Sequence, residues 1–219
     1  MEWAIGSSLR YLKSGTRQMR PYYNVATDAI QFKCTGVPKS VRKKGKLFRH
    51  GEWDLNWVTV SDVQQSPRYL FYKEHLIDNM PIKQTSAYAY YRERQAMGRP
   101  RVGFETEEAI LRRLRGYVAM FRDIERAGKV TPGYELKGRR GDEVGCVMDR
   151  EGQLLKLSNG NNRFAIATLL QLPTVPISID FLHMDLLKDV VATRGILPGQ
   201  RINRFLLDRI GVARADFCG

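Results

Sequence analysis

Residues 153–179 read QLLKLSNGNNRFAIATLLQLPTVPISI, and three periodicities succeed one another along them. The run 153–157 is short and apolar-rich, which predicts a strand. Ser158, Asn159, Gly160, Asn161 and Asn162 then supply turn chemistry, because Asn and Gly accept positive φ and the amide side chains bond nearby backbone. Over 163–172 the apolar residues Phe164, Ile166, Ala167, Leu169, Leu170 and Leu172 have the spacing of a short helix with one buried face. Pro173 stops it, and Val175, Ile177 and Ile179 alternate with Pro176 and Ser178 as in a second strand. At the turn, the free N–H groups of the helix start would project with the positive end of the dipole, and Arg163 adds a fixed charge. That is the layout of an anion site. A turn of this composition also serves any strand-to-helix connection, and an Arg in a first turn is commonly solvated, so spacing alone leaves both readings open.

The chain of 219 residues suits one domain with an arm, and with 43% of them hydrophobic it can bury a core. Thirty-six Lys and Arg against 23 Asp and Glu give a formal charge of +13, which predicts attraction to polyanions: nucleic acid, anionic lipid head groups or phosphorylated glycans. Cys34, Cys146 and Cys218 form no C-x-x-C pair, and only three His accompany them. That argues against structural zinc and for a reducing compartment. No apolar run approaches the roughly 20 residues that span a bilayer, and Met1-Glu2-Trp3 does not open a signal peptide, so a cytoplasmic protein without a transmembrane segment is expected.

The pattern of elements is α+β. Residues 1–50 are basic and interleaved with aromatics, which predicts an N-terminal extension packed on the domain, with 9–20 helical and 37–48 an exposed hairpin or loop. This basic region is a candidate surface for a polyanion or nucleic acid, and a solvated basic face is the alternative. Residues 51–219 form the domain, with a helical insertion at about 66–100 and C-terminal helices near 184–193 and 201–210. Glu52 and Asp54 precede an alternating run at 55–63 that reads as a strand; such carboxylates take a proton, bind a metal or anchor the basic arm. Ser66 and Pro67 open a helix to Asn79. A second over 82–97 carries Tyr88, Tyr90 and Tyr91, with Tyr72 on the helix before it; tyrosines at this spacing usually serve as core. Gly98-Arg99-Pro100-Arg101 breaks the chain, and Thr106 caps a helix that Gly128 closes. A loop at 131–141 carries Arg139 and Arg140, and a strand at 142–148 turns back through Asp149-Arg150-Glu151-Gly152.

The helix, Gly128, the strand hairpin, Asn159-Gly160-Asn161-Asn162-Arg163-Phe164-Ala165-Ile166-Ala167-x-x-Leu170-x-Leu172 and then Val175-Pro176-Ile177 together resemble the ParB/sulfiredoxin superfamily. That superfamily carries a D-G-x-x-R-x-x-A-x-x-x-L-G signature before a Val-Pro strand. The likeness covers roughly residues 108–180 and extends to the strand at 55–63. It implies a ParB/sulfiredoxin-like mixed sheet with surrounding helices, and nucleotide phosphates on the turn. Gly160 would be the point of close approach, Asn161 and Asn162 the donors and Arg163 the charge, with Ser158 and Asn159 completing the phosphate-binding turn.

Sulfiredoxins place a cysteine directly after the glycine. Asn161 stands there, and an amide cannot attack a sulfinyl phosphate. Partition-type ParB proteins carry a G-E-R-R-like turn, where this chain has Gly-Asn-Asn-Arg, and continue into a long helix-turn-helix region. The chain therefore looks most like the small-molecule kinase branch, which implies ATP or CTP with Mg²⁺ and transfer of a phosphoryl group to a hydroxyl of a small molecule or glycan. On that resemblance Asp54 or Glu52 is the general base, with Glu74 and Glu105 also available; His183, just past the last strand, and Arg140 are the candidates to contact the substrate, a satisfied surface histidine being the alternative for His183, and the metal ligands stay unassigned. The alternative expectation is a nucleotide-regulated nucleic-acid-binding protein that catalyses nothing.

Overall fold

Val144, Gly145, Cys146, Val147 and Met148 are all buried, the unbroken run of a strand covered on both faces, and they form a central strand of an open mixed sheet. The computed structural model describes residues 22–35, 37, 47–132, 143–186, 189 and 198–210. The strands are β1 (Tyr22–Ala26), β2 (Phe32–Cys34), β3 (Phe48–Arg49), β4 (Trp57–Thr59), β5 (Val144–Met148), β6 (Leu154–Lys156) and β7 (Thr174–His183). Their order is β1-β7-β5-β6-β2-β4, with β3 also on β7. The pairs β5–β7, β2–β6 and β3–β7 are parallel, and β1–β7, β5–β6 and β2–β4 antiparallel.

Six helices are seen among the described residues: α1 (Val60–Gln64), α2 (Pro67–Tyr72), α3 (Ser86–Ala96), α4 (Glu107–Ala127), α5 (Asn161–Leu169) and α6 (Pro198–Ile210). Ile110, Leu114, Phe121, Ile166 and Leu206 join Cys146, Met148, Ile177 and Ile179 in the main core. A smaller cluster contains Cys34, Trp53, Val147, Leu155 and Phe181. β7 enters both through a bulge: Cys146 pairs with Ile179 but Met148 with Leu182, and the extra residue turns Phe181 to the second cluster. No helix of the described residues is long and apolar enough to cross a membrane.

Several expected elements have other bounds. The strand expected at 55–63 is only β4, because the Thr59 and Asp62 side chains bond each other's backbone N–H and start α1. α2 gives way at Lys73–Ile77 to a π-helical turn, and the helix expected at 82–97 begins as a 3₁₀ turn, with Thr85 capping α3. β7 runs on to His183, and of the helix expected at 184–193 the described residues include a 3₁₀ turn, Met184–Leu186. The basic region 1–50 supplies β1, β2 and β3, and β2 lies between β6 and β4. The helix at 9–20, most of the hairpin or loop at 37–48, and Arg139 and Arg140 lie outside the described residues. α4 matches its expectation: the Thr106 hydroxyl accepts from Ala109 N–H, and Gly128 closes the helix at φ 63.

The turn before α5 is pressed onto β5. Leu157 N–H donates to the Gly145 carbonyl at 2.7 Å, and the Asn159 side chain fills the space a side chain at Gly145 would need. Gly160 has φ 65, and a Cβ there would sit 2.5 Å from Val144 Cα and closer still to the Glu143 carbonyl oxygen. Gly128 has the same backbone conformation with nothing within 4 Å. Gly128→Ala should therefore cost only the left-handed penalty, about 1 kcal/mol. Gly160→Ala must also force the turn backbone away from β5 and should cost more than about 3 kcal/mol. Urea titration measures both, and equal losses would show that the turn does not rest on β5.

Candidate functional site

Lys33 in β2, Lys156 in β6 and Cys146 in β5 are register partners, so the three side chains stand in a row across one face of the sheet. Lys156 is fully buried. Its ammonium donates to the carbonyls of Leu157 at 2.7 Å and Asn159 at 3.1 Å and to Asn161 Oδ1, and it lies 5.6 Å from the centre of the Phe164 ring. Asn161 in turn donates its amide N–H to the Ser158 carbonyl at 2.8 Å. The lysine thus ties the turn together from beneath.

Burial, helped by the neighbouring charges of Lys33 and Arg68, pushes Lys156 down to about 7. Burial also lowers Lys33, with Arg68 adding to the effect. For Arg68, burial opposes the charge but the phenols of Tyr117 and Tyr91 outweigh it, and its pKa is raised. Among the described residues no carboxylate forms an ion pair with Lys33, Arg68 or Lys156. Burial raises the Cys146 thiol to about 12, so it stays protonated and is no nucleophile.

A cleft of about 350 Å³ opens above this row. Its floor and one wall come from Lys33, Ser158, Asn161, Phe164 and Thr168; the other wall comes from Gln64, Arg68, Tyr69, Tyr90, Tyr91 and Arg101. Cations, amides, hydroxyls and aromatic faces are the complement of an anion attached to a flat or apolar group. No carboxylate is among the described residues that line it. No group of three or more His, Cys, Asp or Glu that could hold a metal is assembled among the described residues either.

The structure brings only some of the expected site together. Ser158 and Asn161 line the cleft, while Asn159 and Gly160 seat the turn on β5. Asn162 and Arg163 lie in the first turn of α5. Arg163 is buried, does not line the cleft, and its Nη1 has no hydrogen-bond partner, like Asn162 Oδ1.

Asp54 and His183 meet elsewhere, beyond the far end of β5. Asp54 accepts from Arg150 Nε at 2.8 Å, Nη2 at 2.9 Å and backbone N–H at 3.1 Å, and lies 3.9 Å from His183 Nε2. Burial alone would raise this carboxyl, but the Arg150 bonds hold it below the usual range. His183 donates from Nε2 to the Gly51 carbonyl at 2.9 Å and accepts at Nδ1 from Asp185 N–H at 3.2 Å. Glu52 is exposed beside them. Gly160 touches the start of β5 and Arg150 lies past its end, so at about 3.3 Å per residue the strand alone separates the two places by roughly 15 Å. Arg140 is outside the described residues.

Lys33, Arg68, Arg101 and Lys156 were not among the expected site residues. The one signal for Lys156 was a lysine inside the apolar run Leu154–Leu157, where an exposed strand face would carry more than one polar residue. Comparisons with protein-family models, with curated proteins and with solved structures return no match.

The buried lysine has a measurable consequence. It titrates near 7 when folded and near 10.5 when unfolded, so between those values the unfolded chain holds the extra proton and stability rises with pH. One such group contributes a slope of about 1.4 kcal/mol per pH unit. Denaturation midpoints from pH 7 to 8.5 should rise in the native chain and flatten in Lys156→Met. Equal slopes in both would show that Lys156 does not titrate there.

Proposed function

We propose that this chain binds a phosphate-bearing ligand of the nucleotide class in the cleft beside the Ser158–Asn161 turn, as a nucleotide-responsive binding protein. The observation that carries this reading is that Lys33 and Arg68 line one cleft, with Lys156 buried behind Asn161, and no carboxylate is paired to any of them among the described residues. Like charges brought together and dehydrated cost stability, and an anion in the cleft reverses that cost. Tyr69 and Tyr90 bring aromatic rings to the lining, and the Tyr90 ring carries the Arg101 guanidinium 5.9 Å from its centre. The resemblance of the Gly160–Arg163 turn to the ParB/sulfiredoxin superfamily points to the same class of ligand. The +13 charge favours a polyanionic partner, nucleic acid, outside the cleft.

Phosphotransfer to a small molecule or glycan is the second reading. It requires a base within hydrogen-bond reach of the acceptor. Asp54 is engaged by Arg150 at the opposite end of β5, which favours binding over transfer.

The test is thermal unfolding with ATP, CTP and other nucleotides, with and without Mg²⁺. At 100 times the Kd, the ligand should add about 2.7 kcal/mol to the stability. Lys33→Met should weaken binding at least tenfold, about 1.4 kcal/mol. Asp54→Asn should lower stability by about 1–3 kcal/mol, through the weakened Arg150 clamp, and leave nucleotide affinity unchanged. If no nucleotide shifts the transition, the binding reading fails. Acceptor-dependent ATP turnover abolished by Asp54→Asn would replace it with the kinase.

A further inference from the structure

The cleft has two charged sides of different origin. One is the turn, where Ser158 and Asn161 face the cleft and the Lys156 ammonium lies behind Asn161. The other stands on the helical segment that precedes α4. Arg68, in the first turn of α2, lines the cleft, with its charge favoured by the phenols of Tyr91 on α3 and Tyr117 on α4. Phenols at neutral pH carry no charge, so they orient and stabilise the guanidinium without neutralising it. Burial raises the Tyr91 phenol above its ordinary value. The Arg68 Nε is buried with no hydrogen-bond partner. Arg101 lines the same side, 5.9 Å from the centre of the Tyr90 ring, and Lys33 reaches the cleft from β2 close enough for Arg68 to act on its charge.

Charge count sets the size of the anion. Lys33, Arg68 and Arg101 bring three basic side chains to the lining. A phosphate monoester carries about −1.5 to −2 at neutral pH, so it leaves this lining in excess. A diphosphate group carries more charge and offers a phosphate to each side.

We infer that Arg68, with Arg101 and Lys33, forms a second phosphate subsite facing the turn, so that the cleft selects ligands with a diphosphate group over single phosphates. This rests on the binding reading above and narrows its ligand class. Arg68 is then a binding residue contributed by the helical segment, and the phenols of Tyr91 and Tyr117 are its positioning groups.

Calorimetric titration of the full chain with orthophosphate and with pyrophosphate tests this. Pyrophosphate should bind at least tenfold more tightly than orthophosphate. Arg68→Gln should lower pyrophosphate affinity at least tenfold and orthophosphate affinity less than threefold, with Arg68→Lys intermediate. Circular dichroism and the melting temperature establish that each variant folds. If Arg68→Gln does not, Arg101→Gln, at an exposed position, is titrated instead and should show the same selective loss. Equal affinity for the two anions, or equal losses for both in the variant, would overturn the second subsite and leave the binding reading standing. Binding of neither anion nor any nucleotide would overturn both.

Discussion

A lysine ammonium with no access to water sits under the turn that joins β6 to α5, and the geometry around it depends on where that charge finds acceptors. Lys156 is placed by the register of β6 against β5 and β2, and all three of its acceptors, on Leu157, Asn159 and Asn161, belong to the turn or its approach. Burying an ammonium is costly unless its donors are satisfied. The turn satisfies them with two carbonyls and one amide oxygen, neutral groups that leave the charge uncancelled. The same bonds fix Asn161, which faces the cleft and begins α5. An ion deep in the sheet and a polar corner of the cleft are therefore one unit, and an anion in the cleft would act on the lysine through a single intervening amide.

Asp54, buried in the turn before β4, has the opposite character. Asp54 is matched by a two-pronged Arg150 and also accepts that residue's backbone N–H, so the carboxylate is satisfied on both oxygens. Trp53 packs edge-on against Phe181 and tilted against His183, which closes the corner with apolar surface. A fully paired carboxylate with a depressed pKa is a poor proton acceptor and a good clasp. It joins the loop before β4 to the β5–β6 turn. One end of β5 is thus fastened by a matched ion pair, while Lys33, Arg68 and Lys156 have no carboxylate paired to them among the described residues.

How much of this was legible in the chain depended on how local each cause is. The strand, turn, helix and strand of 153–179 and the capped helix closed by Gly128 follow from periodicity and cap residues, and they appear close to their expected bounds. Thr59 and Asp62 formed a capping box inside a run whose alternation suggested a strand; the local hydrogen bonds outweighed the pattern. β1 and β2 were hidden because a basic, aromatic-rich stretch reads as surface until its partners are known, and β7, the partner of β1, and β6, one of the two partners of β2, lie more than a hundred residues later. For the site, Ser158 and Asn161 came from turn chemistry, whereas Arg68 and Lys33 reach the cleft only through the packing of α2 and the pairing of β2, which no spacing rule reports. Asp54 and His183 were each noticed for their chemistry, and they do meet, but in a corner that one-dimensional spacing could not separate from the turn.

The helical segment between β4 and α4 has a structural reason to carry the cleft's second wall. Phe71 and Tyr72, three and four residues after Arg68, are wholly buried, and Tyr72 stacks on Phe121 of α4. Tyr91 of α3 stacks on Phe104 with ring centres 3.9 Å apart, while Tyr117 meets both Phe71 and Tyr72. The phenols that face Arg68 are therefore held by rings in the core, so the direction of the guanidinium is set by helix packing and not by a flexible loop. A cation fixed in this way loses little entropy when it meets an anion, which favours binding over a surface arginine of equal charge. The turn gains the same advantage from Gly145 and Gly160, which let it lie directly on β5. One wall is thus held by aromatic packing and the other by backbone contact, and the basic side chains between them are placed by the folded core.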